Sequence, residues 1–367
     1  MGKHVLLTGA GHAHLLLLRH AAEFQRRGHA LTLLAPGRFW YSGLATGVLN
    51  GECAPVEDQV DVAALAARTG ARFVAGRLAG LDREAGRAIL DDGRDLPFDL
   101  ISLALGSETA PLPGAAALPD RVFPAKPIPS LWRLRQALER RFAMGEAVRA
   151  VVAGGGITGA EIAASLAGLA ARRGGRLRVT LLAGDGPPLR NLPPTVSGPL
   201  LESLRRRGVE VTPGRITAIH PDRLDTSAGP LPFDVVALAT GLRPPALLAT
   251  FGLPLAEDGG LVVDHHLRSP LDARVHGAGD CVALQGHRLP RAGVFAVRQA
   301  PVLLHNLLAA AGGGAPRRFR PQRHHLWIMN LGDGTGFASR GARHLQGRLA
   351  LRWKNWLDRR FLDQFRA

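Results

Sequence analysis

Gly9-Ala10-Gly11-His12-Ala13-His14 directly follows an apolar run, His4–Thr8, near the start of the chain. A second stretch, Gly154-Gly155-Gly156-Ile157-Thr158-Gly159, follows another apolar run at 150–153. Both have the pattern of a glycine fingerprint between a strand and a helix. In that pattern the glycines permit a tight turn, let a pyrophosphate approach the backbone, and let helix and strand pack closely. The alternative is that both are only tight turns, but two matches in this context favour two dinucleotide-binding units.

The rest of the chain repeats the same order of elements. The first unit is predicted as a strand at 4–8, a helix at 13–27 and a strand at 30–34, and the second as a strand at 150–153, a helix at 160–173 and a strand at 177–182. The apolar strands at 99–103 and 234–239 end the two units. Alternating strands and helices predict an α/β fold with doubly wound parallel sheets.

Composition limits the function classes. The chain has 367 residues and a formal net charge of +16, from 46 basic and 30 acidic residues. Such a charge is compatible with nucleic acid or an anionic membrane as partner. However, nearly all basic residues are arginine, long basic blocks are missing and no nucleic-acid-binding module is recognisable, so nucleic-acid binding is not expected.

Cysteine and histidine usage argues against thiol and metal chemistry. Cys53 and Cys281 are the only cysteines, so the sequence offers no disulfide framework, CxxC pair or zinc spacing. The pairs His265-His266 and His324-His325 are more typical of ordinary surface or core residues than of metal ligands. Together with a first strand that starts at residue 4, this predicts a cytoplasmic protein.

These features together resemble the two-dinucleotide flavoprotein reductases. Within that group, the run GGGITGAE at 154–161 is similar to type II NADH dehydrogenases. The nearest likeness is to a branch often fused to selenide, water dikinase, although no kinase domain is present here. The segments that carry this likeness are His12–His14, Tyr41–Gly43, Lys126–Ile128, Ala292–Leu303 and Arg320–Phe361. The resemblance covers essentially the whole chain.

The resemblance implies two Rossmann-like domains, one inserted in the other, and a small C-terminal segment. Residues 1–115 and 240–316 would form the FAD-binding domain, and residues 116–239 the domain that binds NADH or NADPH. Residues 317–367 would form the C-terminal segment, which carries a basic amphipathic helix.

The resemblance also assigns cofactor-binding residues. Those expected at FAD lie at the first fingerprint, at strand ends and at the start of a late helix: Gly9, Gly11, His12, Ala13, Arg38, Thr46, Gly106, Gly279, Asp280, Gly293, Val294 and Phe295. Those expected at the nicotinamide nucleotide lie in the second fingerprint and at the end of the equivalent strand: Gly154, Gly156, Ile157, Thr158, Gly159 and Gly241.

Two residues are candidates for a catalytic role. Glu161 follows the second fingerprint, and the resemblance places it in the cleft between the cofactors; the alternative is an exposed acid on a helix. Lys126 precedes Pro127 and is expected to reach the flavin; the alternative is a solvated lysine at a hinge.

The sequence departs from the family pattern at three points. His14 stands where the first fingerprint would have its third glycine, so helix and strand are expected to pack slightly apart there. Ala35 and Ala183 stand where an acid would bind the adenosine ribose. Asp185 is a possible substitute and no obvious arginine is present for a 2′-phosphate, so the choice between NADH and NADPH stays open.

The C-terminal region bears on the electron acceptor. Apolar residues recur there every four positions, with arginines on the other faces: Leu345, Leu349, Trp353, Leu357, Phe361 and Phe365, with Trp356 beside them. A basic helix with tryptophans is suited to an anionic membrane interface. The alternatives for residues 345–367 are packing on the protein's own body or on a partner in a homodimer.

Three functional interpretations follow from the resemblance. The first is an FAD-dependent NAD(P)H oxidoreductase that passes hydride to flavin and electrons to a second acceptor, a quinone at the inner face of the cell membrane. The second is a soluble flavoenzyme that acts on a small selenium, sulfur or other metabolite. The third is a flavin-bearing interaction protein with vestigial turnover.

Overall fold

A computed structural model describes residues 2–366. Its first sheet has five parallel strands, and the strand before the first fingerprint lies in the middle. The order across the sheet is Val275–Gly277, Leu100–Leu103, His4–Thr8, Ala30–Ala35 and Arg72–Ala75. Nearly every residue of the three central strands is buried, as expected for a parallel sheet that is covered on both faces.

The second sheet repeats this arrangement. It also has five parallel strands, and the strand before the second fingerprint is again central. The order across the sheet is Val122–Pro124, Val235–Leu238, Ala147–Ala153, Arg176–Leu182 and Val209–Thr212. Both fingerprints therefore lie at the carboxyl ends of central strands, where open α/β sheets bind ligands.

Helices cover these sheets. The α-helices in chain order are α1 (His12–Leu18), α2 (Ala21–Arg26), α3 (Ala45–Asn50), α4 (Val62–Thr69), α5 (Pro129–Ala143), α6 (Ile157–Arg173), α7 (Pro194–Arg206), α8 (Gly293–Gly312) and α9 (Arg348–Arg366). The prediction of a single helix at 13–27 was wrong, because the helix is interrupted between α1 and α2 at Arg19 and His20. There the His20 amide donates to the Leu17 carbonyl, a tighter bond than the α-helical one.

Short antiparallel elements complete the fold. Three-stranded sheets are formed by Leu78–Asp82, Arg87–Leu90 and Asp95–Pro97, by Ile216–Ile219, Arg223–Thr226 and Gly229–Pro232, and by Trp327–Asn330, Gly336–Arg340 and Arg343–Gly347. Strand pairs are formed by Arg38–Trp40 with Gln59–Asp61, Glu108–Thr109 with Leu242–Arg243, and Leu261–Val263 with Val282–Leu284. The architecture is the expected α/β fold, whereas the exact domain limits stay a prediction.

Two helices need comment. α8 is long and apolar enough to cross a membrane by length and composition, but more than half of that stretch is buried inside the protein, where it packs on α1. The C-terminal helix was expected to include Leu345; in the structure Leu345 lies on the strand Arg343–Gly347 and α9 begins at Arg348. The strand pairs with Gly336–Arg340, which accounts for its extended backbone.

Candidate cofactor and acceptor site

The first fingerprint turns tightly against the neighbouring strand end. Gly9 has a φ of +84°, and a Cβ atom there would lie 2.5 Å from the carbonyl oxygen of Ala104. A Cβ atom on Gly11 would lie 2.8 Å from the same oxygen. Gly11 caps α1, whose first residues are His12 and Ala13 and whose first amides have no acceptor within the helix. The turn therefore leaves bare backbone amides for a pyrophosphate.

His14 stands at the position of the third glycine. A glycine there would let helix and strand pack closely, whereas His14 joins them through hydrogen bonds. Its side chain is fully buried, with Nδ1 2.7 Å from the Gly9 carbonyl oxygen and Nε2 2.8 Å from Ser102 Oγ. Burial lowers the pKa of His14 to about 4, so the ring is neutral at physiological pH. The imidazole thus ties the fingerprint to the adjacent strand, and the expected loose packing is filled by the histidine itself.

The second fingerprint has all three glycines in their expected roles. A Cβ atom on Gly154 would clash with the Ala239 carbonyl oxygen, and one on Gly159 would clash with the Gly154 carbonyl oxygen. A Cβ atom on Gly156, by contrast, would meet nothing within 4 Å. Close packing of helix and strand beside open space at the middle glycine is the geometry that a bound pyrophosphate requires. Ile157 and Thr158 begin the long helix α6 at this point.

An ionic cluster forms where the strand Val275–Gly277 ends. Lys126 Nζ lies 2.7 Å from Asp280 Oδ2 and 3.0 Å from Ser107 Oγ, and Ser107 donates to Asp280 at 2.8 Å. Burial alone would raise the pKa of Asp280, but Lys126 and Ser107 outweigh it and hold the pKa below its ordinary value. Lys126 is therefore a paired residue beside the predicted FAD ligand, not a solvated hinge lysine.

The start of α8 lies beside the first fingerprint. A Cβ atom on Gly293 would lie 3.0 Å from Nε2 of His12, so only a glycine fits there without displacement of the ring. The Gly279 amide donates to Gln299 Oε1 at 2.7 Å, which fixes the turn before Asp280 against the same helix. The helix thus directs the positive end of its dipole toward the fingerprint.

The other predicted FAD residues occupy less constrained positions. Val294 and Phe295 continue α8, partly buried and buried respectively. Gly106 has a φ of +74° with open space beside it. Arg38 is exposed, and its guanidinium lies 3.4 Å from Gln59 Oε1. The predicted role of Arg38 at FAD stays a prediction.

Glu161 is half-buried on α6, where it contacts α3 and the C-terminal sheet. Its Oε1 accepts a bond from Thr46 Oγ1 at 2.9 Å and from the Asn330 amide at 2.9 Å. Thr46 lies on α3 and Asn330 on the C-terminal sheet. Burial raises the pKa of Glu161 above its ordinary value. The alternative of an exposed helix acid does not hold.

A second buried charge cluster was not predicted. Lys354 Nζ lies 2.7 Å from Asp358 Oδ2 and also donates to the Gly43 carbonyl. Tyr41 donates its hydroxyl to Asp358 Oδ1 at 2.9 Å. Burial lowers the pKa of Lys354, but the charges of Asp358 and Glu161 outweigh it and leave the pKa raised. The available signal was a Lys–Asp pair four residues apart on the face of the C-terminal helix that also carries Leu351 and Leu362.

The same helix brings an aromatic group against the first fingerprint. The His12 ring centroid lies 5.2 Å from Phe39, 5.6 Å from Tyr41 and 5.3 Å from Phe361. Burial lowers the pKa of His12 to about 4. Helix α9 therefore packs on the predicted FAD site. Of the alternatives for residues 345–367, packing on the protein's own body holds for this part of the helix.

The ribose end of the second site differs from expectation. Asp185 uses both carboxylate oxygens, one with Ser227 Oγ and one with Arg215 Nε at 2.7 Å. The Arg190 side chain points toward Gly186. Its Nη1 atom lies 3.5 Å from the position that a Cβ atom on Gly186 would occupy. Arg215 is 30 residues from Asp185 in sequence and reaches this edge only through the fold, whereas Arg190 belongs to the same loop.

The two cysteine thiols are not activated. Burial raises the pKa of the Cys53 thiol and of the Cys281 thiol to about 11 each, so neither is an activated nucleophile. Among residues 2–366, no group of three or more His, Cys, Asp or Glu side chains is placed to hold a metal ion.

The residues present fit the two nucleotides that the sequence predicts. At the first position of each fingerprint a Cβ atom would clash with a neighbouring carbonyl oxygen, and each fingerprint lies at the start of a helix. The ionic pair of Lys126 and Asp280 lies near the first fingerprint, and a glycine with free space beside it lies near the second. Gly241, at the end of the strand next to the second fingerprint, has a φ of +112° and no atom within 4 Å of a Cβ position. These are observations on the chain itself, independent of any bound group.

Comparison with known proteins gives the family. Residues 3–300 match the model of the pyridine nucleotide-disulphide oxidoreductases. The chain is 31% identical to the nitric oxide reductase FlRd-NAD(+) reductase of Aeromonas hydrophila over 56% of this chain and only 50% of that protein. It is 26% identical to the demethylphylloquinone reductase of Synechocystis, over 78% of this chain and 73% of that protein.

A solved structure supports the fold. The sulfide:quinone oxidoreductase of Aquifex aeolicus superimposes with a TM-score of 0.81, at 16% identity, over 100% of this chain and 92% of that one. The fold, the paired fingerprints and the family match agree. The chain belongs to the pyridine nucleotide-disulphide oxidoreductase family, and it is therefore an oxidoreductase whose cofactors are FAD and NADH or NADPH.

Proposed function

We propose that this protein is an NAD(P)H:quinone oxidoreductase that works at an anionic membrane surface. FAD would lie along residues 1–115 and 240–316, at the first fingerprint and Asp280. The nicotinamide nucleotide would lie along residues 116–239, at the second fingerprint. Residues 317–367 would provide the acceptor side and the membrane contact.

The observation that carries this proposal is the two-sided character of α9. One side is apolar and exposed: Leu349, Trp353, Trp356 and Leu357 are 67%, 42%, 54% and 37% exposed. Exposed arginines flank them at 352, 359 and 360, and the Arg360 guanidinium lies 5.3 Å from the Trp356 ring centroid. Tryptophan and leucine flanked by arginine suit the boundary between anionic headgroups and acyl chains.

The other side of α9 carries the buried charges. Lys354 and Asp358 point inward, where Tyr41 contacts Asp358 and Glu161 acts electrostatically on Lys354. One helix thereby connects an outward apolar face to polar groups beside the predicted flavin site.

The chain's own groups fit the needs of such a reaction. When bound, FAD supplies the two-electron relay between nicotinamide and quinone. The net reaction takes NAD(P)H, one proton and a quinone to NAD(P)⁺ and a quinol. Asp280 and Lys126 would bind and orient the cofactor, and Glu161 would hold the proton that the quinone takes up. Burial raises the pKa of Glu161, which favours the protonated carboxyl that a proton donor needs.

A similar relative supports a quinone as the acceptor, since one matched protein is a demethylphylloquinone reductase. The raised thiol pKa values of Cys53 and Cys281 argue against sulfide or disulfide as substrates. The arginines of α9 would also fit an acidic electron-carrier protein, which makes this carrier the competing acceptor in the test.

The membrane contact can be tested by flotation with vesicles of phosphatidylcholine and phosphatidylglycerol. Replacement of Trp353 and Trp356 by serine should move the protein from the floating to the soluble fraction. The matched control is Leu271→Ser, which removes an apolar side chain of similar exposure, 59%, on another part of the surface. Equal flotation of all variants would refute the membrane contact.

The acceptor can be tested separately. Quinol formation by the intact protein should be faster with vesicle-embedded quinone than with the same quinone in detergent, and the double tryptophan variant should lose this difference. If an acidic ferredoxin is reduced faster than any quinone, and vesicles do not change this rate, the acceptor is a carrier protein and not a quinone.

A further inference from the structure

The loop that follows the strand Arg176–Leu182 is held directly against the second fingerprint. The Leu189 amide donates to the Gly155 carbonyl at 2.7 Å, and the Leu189 side chain is buried. A Cβ atom on Gly155 would lie 2.7 Å from Cα of Ala183, so the fingerprint and the strand end touch. The next residue, Arg190, is therefore attached to a fixed point at the rim of the nucleotide site.

The position that selects between ribose and ribose phosphate is Ala183. An acid at the end of this strand normally accepts hydrogen bonds from the ribose hydroxyls and repels a 2′-phosphate. Alanine can do neither. Asp185 does not take over this role, because Ser227 and Arg215 occupy its two oxygens and hold its pKa below the ordinary value.

Two arginines lie at the turn of Asp185 and Gly186 that follows Ala183. Arg190 is exposed and forms no ion pair or side-chain hydrogen bond within residues 2–366. Arg215 bonds Asp185 through Nε at 2.7 Å, and its side chain is 65% exposed, so its other guanidinium donors stay open to a ligand. An arginine without a partner, together with a second arginine that has free donors, is a good match for a phosphate dianion.

We propose that the coenzyme of this protein is NADPH, with Arg190 as the residue that binds its 2′-phosphate and Arg215 as a second cation beside it. The inference rests on the family's use of a nicotinamide nucleotide and not on the identity of the electron acceptor. Recognition of the 2′-phosphate by Arg190 and Arg215 would make the protein prefer NADPH over NADH.

The test is an equilibrium titration of the FAD-containing protein with 2′,5′-ADP and with ADP, in the absence of any acceptor. The 2′-phosphate should tighten binding at low salt, and this advantage should shrink as ionic strength rises. Arg190→Gln should weaken binding of 2′,5′-ADP by roughly 10- to 100-fold, as expected for the loss of a charge-assisted hydrogen bond, and should leave ADP binding unchanged.

Three further variants sharpen the result. Arg215→Gln should weaken 2′,5′-ADP binding less than Arg190→Gln does. Asp185→Asn should leave ADP binding unchanged if Asp185 does not contact the ribose. Arg205→Gln, which removes an exposed arginine of α7 in the same half of the molecule, is the matched control and should change neither affinity.

Several results would overturn the inference. ADP could bind as tightly as 2′,5′-ADP, or Arg190→Gln could weaken both ligands equally, which would indicate a purely structural role. Binding of neither probe would also overturn it. None of these results depends on quinone reduction, so a failure here is distinguishable from a failure of the proposed acceptor.

Discussion

The ammonium of Lys354 lies 2.7 Å from Oδ2 of Asp358, one turn further along α9, and the two side chains are only 8% and 9% exposed. A buried pair of this kind is not by itself a source of stability, because both charges lose their hydration. Each partner compensates the charge of the other where the C-terminal helix meets the first fingerprint.

Removal of one partner should therefore be costly. Lys354→Met leaves the buried carboxylate of Asp358 without its cation, and we expect a loss of about 3–5 kcal/mol in the free energy of unfolding. Urea denaturation followed by tryptophan fluorescence measures this loss. The matched control is Arg206→Gln, which breaks an exposed pair with Glu202 that also spans four residues, and which should cost less than about 1 kcal/mol. Similar losses in both variants would contradict the buried role of Lys354.

Asp58 should make the protein less stable as pH rises. Its carboxylate is fully buried, and neither oxygen has a hydrogen-bond partner among the described residues. Burial raises its pKa from 3.8 to about 8, while Lys354 and Arg366 act in the opposite direction and Asp358 adds to the increase. The folded state thus binds the proton more tightly than the unfolded state. The resulting stability is complete below about pH 4 and is lost as pH rises toward 8.

Asp58→Asn should remove this dependence. Relative to the native chain, the variant should gain stability between pH 6 and pH 8, by up to about 1.4 kcal/mol for each pH unit. Urea denaturation at several pH values measures the difference, and Asp222→Asn, at an exposed acid, is the control. Parallel pH profiles for the native chain and Asp58→Asn would show that the buried carboxyl is not protonated in this way.

The ionic cluster at Asp280 should control FAD affinity. Asp280→Asn keeps the side-chain size but removes the charge that Lys126 and Ser107 hold in place, and we expect FAD to bind at least about tenfold more weakly. Titration of deflavinated protein with FAD measures this. Glu257→Gln removes an exposed acid paired with Arg288 and serves as control. Unchanged FAD affinity in Asp280→Asn would exclude the cluster from the binding site.

Glu161→Gln should separate proton supply from nicotinamide binding. The amide can keep the bonds from Thr46 and Asn330 but cannot release a proton. We expect reduction of the bound flavin by NAD(P)H to be preserved, whereas quinone reduction should slow by about 10²-fold or more, as for the loss of a general acid. Stopped-flow absorbance of the two half-reactions tests this split. Equal rates of quinone reduction in the two proteins would mean that another group supplies the proton.

The sequence could predict the fold because its decisive signals are local. A fingerprint such as Gly154–Gly159 needs only the strand before it and the helix after it, and both are visible as short sequence patterns. The repeat of that unit then predicts a second parallel sheet. The strand that contains Leu345 was missed because its pairing with Gly336–Arg340 decides it and local propensity does not. The break between α1 and α2 was missed because the sequence there continues the apolar pattern of a single helix.

The site was harder to predict because its contacts join distant parts of the chain. The bond from His14 to Ser102 spans 88 residues, and that from Tyr41 to Asp358 spans 317. The amphipathic pattern of the C-terminal helix predicts basic side chains on its outer faces, whereas the fold turns Lys354 inward. In the same way, Arg215 reaches Asp185 only through the strand order of the second half.

An anaerobic titration tests the central claim most directly. The freshly purified protein should be yellow, one equivalent of NADPH should bleach its flavin absorbance, and a vesicle-embedded quinone should restore the colour. A well-folded protein that is colourless and does not take up added FAD, or a bound flavin that neither NADPH nor NADH can reduce, would contradict the account.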